Sequence, residues 1–188
     1  MPFSRHAPAA LAGFVTLLAA HSAVAEVKQA AADGFLVAHG VQVNAAPAVV
    51  FDALGKVSRW WSDEHTWSGR AANLRLEPEA GGCFCERWAE GSAEHARVVF
   101  VRRNEELRLR GALGPLQAMG LDGLLAFKLA PAEGGTRLEV SYRLTGDGLH
   151  ALEPLAPVVD GVIGEQVARL ERFVETGSPL PAEKPPQP

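Results

Sequence analysis

The strongest constraint on the fold is a stripe of apolar residues near the C-terminus. Leu152, Leu155, Val159, Ile163, Val167, Leu170 and Val174 recur at steps of three and four, with Glu165, Arg169, Glu171 and Arg172 on the other side. That period predicts an amphipathic helix of four or five turns that must bury one face, ending at Gly177. Pro154 and Pro157 fall where proline is tolerated, so the regular part is expected to begin near Pro157. Most of what precedes the stripe has a different period, so the helix's partner must be a sheet.

Between Gly34 and Asn44, Phe35, Val37, His39, Val41 and Val43 alternate with smaller or polar residues, a first strand. Pro47 suits the first position of a helix whose apolar face is Val50, Phe51 and Leu54 and which ends at Gly55. A second short helical piece is expected over Ser58–Trp61, then a polar loop over 62–66. Six further strands read from Asn73–Glu77, Cys83–Trp88, Glu94–Arg102, Glu106–Arg110, Leu121–Ala130 and Thr136–Leu144, with turns at 90–92, 103–105 and 132–135. Residues 111–120 form an apolar loop broken by Gly and Pro, and 26–32 read as a lead-in.

This order predicts an α+β domain in which a curved antiparallel sheet of about seven strands wraps the C-terminal helix. A curved sheet cannot touch a straight helix along its whole length, so the expected gap is a cavity.

The N-terminus reads as an export signal. Arg5 precedes an apolar run from about Ala7 to Ala20, and Ala23-Val24-Ala25 has the small-x-small pattern of a cleavage site. The run is shorter than the roughly 20 residues that cross a bilayer. We expect cleavage after Ala25, a secreted or periplasmic product, a domain over 26–177 and a disordered tail over 178–188 with its five prolines. Loss of Arg5 moves the formal net charge from -4 to -5, which gives no electrostatic reason to bind nucleic acid or an anionic membrane. No stable membrane insertion is expected.

The segments Asn44–Leu54, Arg59-Trp60-Trp61, Leu76-Glu77-Pro78 into Gly81-Gly82, Gly111–Leu116 and Gly134–Leu138, together with the terminal helix, resemble the helix-grip superfamily of START-like and Bet v 1-like domains. Within it the chain is most similar to the branch of the C-terminal domain of the Hsp90 ATPase activator. The resemblance spans about residues 34–175. It implies the helix-grip fold and a hydrophobic cavity that in different members holds lipids, sterols, polyketides or plant metabolites. Some members are cyclases or dehydratases, others carriers or chaperone partners; an exported chain does not meet Hsp90.

Trp60 and Trp61 are adjacent and cannot face the same way: either both pack the short helices against the sheet, or one lines the cavity mouth. Trp67 is a weaker candidate of the same kind. Alternation places Phe84, Glu86 and Trp88 on one face of their strand and Cys83, Cys85 and Arg87 on the other. If the aromatic face points inward, Glu86 is a carboxylate in an apolar cavity with a raised pKa, a candidate general acid or base. Otherwise it pairs with an arginine such as Arg97 and has no chemical role. Cys83 and Cys85 are two apolar packing residues, a bridge, or, with His95, part of a metal set; we assign no metal and no cofactor. Gly161 and Gly164 on the helix imply either close packing or room for a ligand.

The favoured function is a binding module for a small hydrophobic molecule, a lipid or a polyketide-like compound. Trp60, Trp61, Trp88, Phe100, Leu116, Met119, Phe127, Tyr142, Val159 and Ile163 would line its cavity. The alternative is a cyclase- or dehydratase-type enzyme using Glu86 or a histidine. A third reading, a protein partner on the outer sheet face, has no support in the sequence.

Overall fold

A computed structural model describes residues 25–182. The export signal read over residues 1–25 lies outside the described residues except for Ala25, as does the tail from residue 183.

The chain forms β1 (Ala25–Ala31), β2 (Gly34–Val43), α1 (Pro47–Leu54), β3 (Leu74–Leu76), β4 (Cys83–Trp88), β5 (Gly91–Arg102), β6 (Glu106–Arg110), β7 (Asp122–Ala132), β8 (Gly135–Thr145) and α2 (Ala156–Thr176). The strands make one antiparallel sheet in the order β1-β2-β8-β7-β6-β5-β4-β3. The α+β expectation holds with one strand more than predicted. Residues 26–32 belong mostly to β1, which pairs with β2 through Val27 opposite Val37. The polar, alanine-rich segment Glu26–Ala32 carries a single large apolar residue, Val27, so no alternation marks it as a strand. Short 3-10 turns occupy Val57–Arg59, Asp63–His65, Ala71–Asn73, Gly114–Met119 and Glu153–Leu155. Among the described residues no helix is long and apolar enough to cross a membrane.

Two irregularities in β5 decide which side chains face inward. Glu86 pairs with Ala93 and Cys85 with Glu94, but Phe84 pairs with Ala96, so His95 is an extra residue. His95 and Ala96 are accordingly both buried, and Arg97 turns outward to Glu94. A second slip between Val98 and Phe100 leaves Val99 and Phe100 both on the outer side. Phe100 therefore does not enter the cavity; it lies under the Arg108 guanidinium, 4.5 Å from the ring centroid, correcting the simple alternation. Such bulges bend the strand and deepen its twist, which helps the sheet curve.

The helix α2 is seated unevenly. It packs chiefly on β2, with further contact to β1 and α1, and its C-terminal half is solid, with Val167, Leu170 and Phe173 buried. Its polar side chains hold the crossing segment between α1 and β3. Gln166 Oε1 accepts from the Ser62 amide at 2.9 Å, and Arg169 donates to the carbonyls of Trp60 and Trp61 at 2.8 and 3.2 Å. These groups satisfy backbone atoms that burial would otherwise strand without partners.

The two helix glycines separate cleanly. A Cβ on Gly164 would stand 2.7 Å from Cε1 of His39, a buried imidazole on β2 whose Nε2 lies 2.9 Å from Asp160 Oδ1. A Cβ on Gly161 would meet nothing within 4 Å. Close packing explains Gly164, and neither glycine makes room for a ligand. Gly161→Ala is expected to raise stability by up to about 1 kcal/mol through helix propensity. Gly164→Ala is expected to lower it, because displacement of His39 outweighs the same propensity gain; paired denaturant titrations measure both signs.

Candidate functional site

Over its N-terminal half, α2 stands off the sheet, and the space beneath is a cavity of about 540 Å³. Leu155, Val159, Val162 and Ile163 form its helix wall, Phe84, His95 and Tyr142 its sheet wall, and Leu113, Pro115, Leu116 and Met119 one side. Trp61, His65, Thr66 and Trp67 close the other side. Trp67 and Val158, 49% and 64% exposed, are apolar residues at the rim where they meet solvent.

The expected lining divides in two. Trp61, Leu116, Met119, Tyr142, Val159 and Ile163 face the cavity; Trp60, Trp88, Phe100 and Phe127 do not. Trp60 is core, its indole donating to the Ala53 carbonyl at 2.8 Å. Phe127 is core between Leu107 and Val140, and Trp88 packs at the β4–β5 hairpin over Gly91. Trp61, by contrast, donates to the His65 carbonyl at 2.9 Å and turns its ring edge to Phe84, 5.3 Å between centroids. Phe84 in turn lies 5.1 Å from the ring of His95.

Glu86 is fully buried but does not line the cavity. Its carboxylate accepts from the amides of Trp67 at 2.9 Å and Ser68 at 2.6 Å, and lies 3.0 Å from His95 Nε2. Burial opposes its charge, yet the contacts to Ser68, Trp67 and His95 outweigh that cost, so its pKa is lowered. The expected raised pKa is therefore overturned, and so is a pairing with Arg97, which bonds Glu94 on the outer face. Burial lowers the pKa of His95 against the opposing pull of Glu86, so the imidazole is neutral at pH 7. With an ionised acceptor at Nε2, that nitrogen carries the proton.

Tyr142 is equally committed. Its hydroxyl accepts from the Leu113 amide at 3.0 Å and donates to the Gly111 carbonyl at 3.2 Å, tying the 111–120 loop to β8. Burial pushes its pKa far up. His65 Nε2 lies 3.0 Å from Glu165. Of the three readings for the cysteines the structure has the bridge: Cys83 and Cys85 are disulfide-bonded on the outer face of β4, Cα atoms 5.4 Å apart. Among the described residues they and Glu94 form a candidate metal-ligand cluster, but the bridge leaves no thiolate for a metal. Sequence reasoning missed His95 and Phe84 as cavity residues, although alternation had already placed Phe84 beside Glu86.

No protein-family model and no curated protein matches the chain. Solved structures do. A Mesorhizobium loti protein matches at 19% identity and TM-score 0.52, over 74% of this chain and 96% of its own. DynU16, a protein in the dynemicin biosynthetic locus, matches at 18% identity and TM-score 0.53, over 77% of this chain and 48% of its own. The Aha1 dimer from Colwellia psychrerythraea is similar at 16% identity and TM-score 0.49, over 76% and 97%. At such identities the first two establish a shared fold and nothing finer, and the chain has the helix-grip fold.

Removing Glu86 leaves two amides and an imidazole N–H without their acceptor. Glu86→Ala is expected to cost about 3 kcal/mol and to loosen the 62–70 loop, read as faster amide exchange at Trp67 and Ser68. Both lowered pKa values act in one direction. The unfolded chain binds protons that the folded one resists, so stability is full above about pH 6.5 and falls on acidification, first through His95 and then, below about 4.3, through Glu86. Melting between pH 7.5 and 4 is expected to show this loss, and His95→Gln to flatten its upper part.

Proposed function

We propose that the protein is an exported binding protein that holds a small hydrophobic molecule between the sheet and the N-terminal half of α2. The observation that carries this reading is an apolar space of about 540 Å³ with exposed Trp67 and Val158 at its rim. Ligand sites typically span roughly 300–1,000 Å³ with mostly apolar walls and few polar groups. Trp67 leaves about half of its area in water, and a guest in the cavity would be stabilised by covering more of it. The likeness in fold to DynU16 is compatible with a role in handling small molecules.

The cyclase or dehydratase reading loses the residue first assigned to it. Glu86 is screened from the cavity and carries no proton to donate near neutrality, which leaves the two lining histidines, His65 and His95, as candidate bases. Binding needs no such group, so it is the simpler reading.

One preparation tests both export and binding. Protein purified from its host is expected to have a mass beginning at Glu26 and to yield one recurrent hydrophobic compound on extraction. The stripped protein is expected to brighten N-phenyl-1-naphthylamine. Val159→Phe, which fills part of the cavity from a partly exposed position, is expected to weaken that probe about tenfold with little change in melting temperature. An empty preparation that leaves the probe dark would end the proposal.

A further inference from the structure

We infer that His95 reads the polar end of the ligand, and that the cavity takes a neutral molecule whose apolar body carries a hydroxyl, an alcohol or phenol, donating to His95 Nδ1. This rests on the binding reading above and specifies the class of guest.

Most hydrogen-bonding groups on the cavity wall are already committed or open to water. Tyr142 has used both its donor and its acceptor on the 111–120 loop. His65 Nε2 is engaged by Glu165, and the Thr66 hydroxyl donates to the Asp63 carbonyl. The other His65 nitrogen, the Glu64 carboxylate and the Trp67 indole lie at the exposed side of the cavity, where water serves them with or without a guest. His95 is 5% exposed and faces the cavity, and its Nε2 is committed to Glu86. Its Nδ1 has no hydrogen bond among the described residues. Because Glu86 is already held as an anion by the amides of Trp67 and Ser68, the imidazole proton resides on Nε2 and Nδ1 presents a lone pair. Nδ1 is not among the buried polar atoms left without a partner, so water reaches it in the empty cavity. A guest that displaces this water strands the acceptor unless it brings a donor of its own. A ligand donor removes the cost.

Glu86 also sets the charge of the guest. Its carboxylate lies immediately behind the ring, in surroundings of low dielectric, so an anionic group brought to Nδ1 would meet both a lone pair and a like charge. Fatty-acid carboxylates are disfavoured on that ground, whereas a hydroxyl supplies the proton the nitrogen lacks. The buried carboxylate thus orients the ring and fixes its tautomer without touching the guest.

The test uses three probes that share one bicyclic body: 2-naphthol, 2-methoxynaphthalene and 2-naphthoate, titrated into the purified protein by tryptophan quenching and calorimetry. We expect 2-naphthol to bind about tenfold or more tighter than either of the others, although the methoxy compound is the more hydrophobic. His95→Phe is expected to bring the first two within about twofold. Imidazole ¹⁵N spectra of the unmutated protein give a readout independent of any variant: the Nδ1 resonance is expected to move with 2-naphthol and stay in place with 2-methoxynaphthalene. Equal affinity for those two, retained preference in His95→Phe, or an unmoved Nδ1 would overturn the assignment and leave the binding proposal standing. Failure of all three to bind the folded protein would remove both.

Discussion

The cavity wall is organised around one buried anion. A carboxylate with no solvent exposure is costly unless donors surround it, and Glu86 collects three, from Trp67, Ser68 and His95. Two belong to the loop that crosses from one edge of the sheet to the other, and the third projects from β5. Satisfying the charge therefore fixes the loop against the sheet, sets Trp67 at the rim, and holds His95 in one tautomer at the cavity wall. The carboxylate shapes the cavity wall without lining the cavity itself.

The space itself follows from how α2 sits. Its C-terminal half closes on the sheet through Val167, Leu170 and Phe173, while Asp160 and Gly164 admit the His39 ring close to the helix backbone. Toward the N-terminus of α2 the sheet bends away, while in the C-terminal half Gln166 and Arg169 engage loop backbone instead of strand side chains. A helix can be flush with a coiled sheet over only part of its length. Here the flush part serves stability, and the remainder leaves the void that Tyr142 and the 111–120 loop enclose.

Several misses in the site have identifiable physical causes. Phe100 was expected inward because alternation is the default in a strand, and one extra residue at Val99 sends it outward. His95 was considered with the cysteines as a metal ligand and not as a cavity residue, and the β4–β5 turn was expected at 90–92. Trp88 in fact pairs with Gly91, and the extra residue between Glu94 and Ala96, whose partners are Cys85 and Phe84, leaves His95 on the inner side with Ala96. A shift of one residue in a turn reverses every facing in the strand that follows. Trp60 and Trp61 needed no such correction in principle, since adjacency alone says they diverge, but only the Ala53 carbonyl decides which one is core.

Local periodicity determined the long helix, most of the strands and their antiparallel sequence, because those signals depend on neighbours three, four or two residues away. It also determined that a gap must exist, since that follows from the shapes of the two elements. Which residues face the gap, which groups surround Glu86, and which histidines line the cavity were decided only by the tertiary structure. Those outcomes depend on contacts such as His95 with Glu86, Ser62 with Gln166 and His65 with Glu165, some about a hundred residues apart. No local pattern encodes such pairings; bulges, edges and the tilt of one helix bring them together.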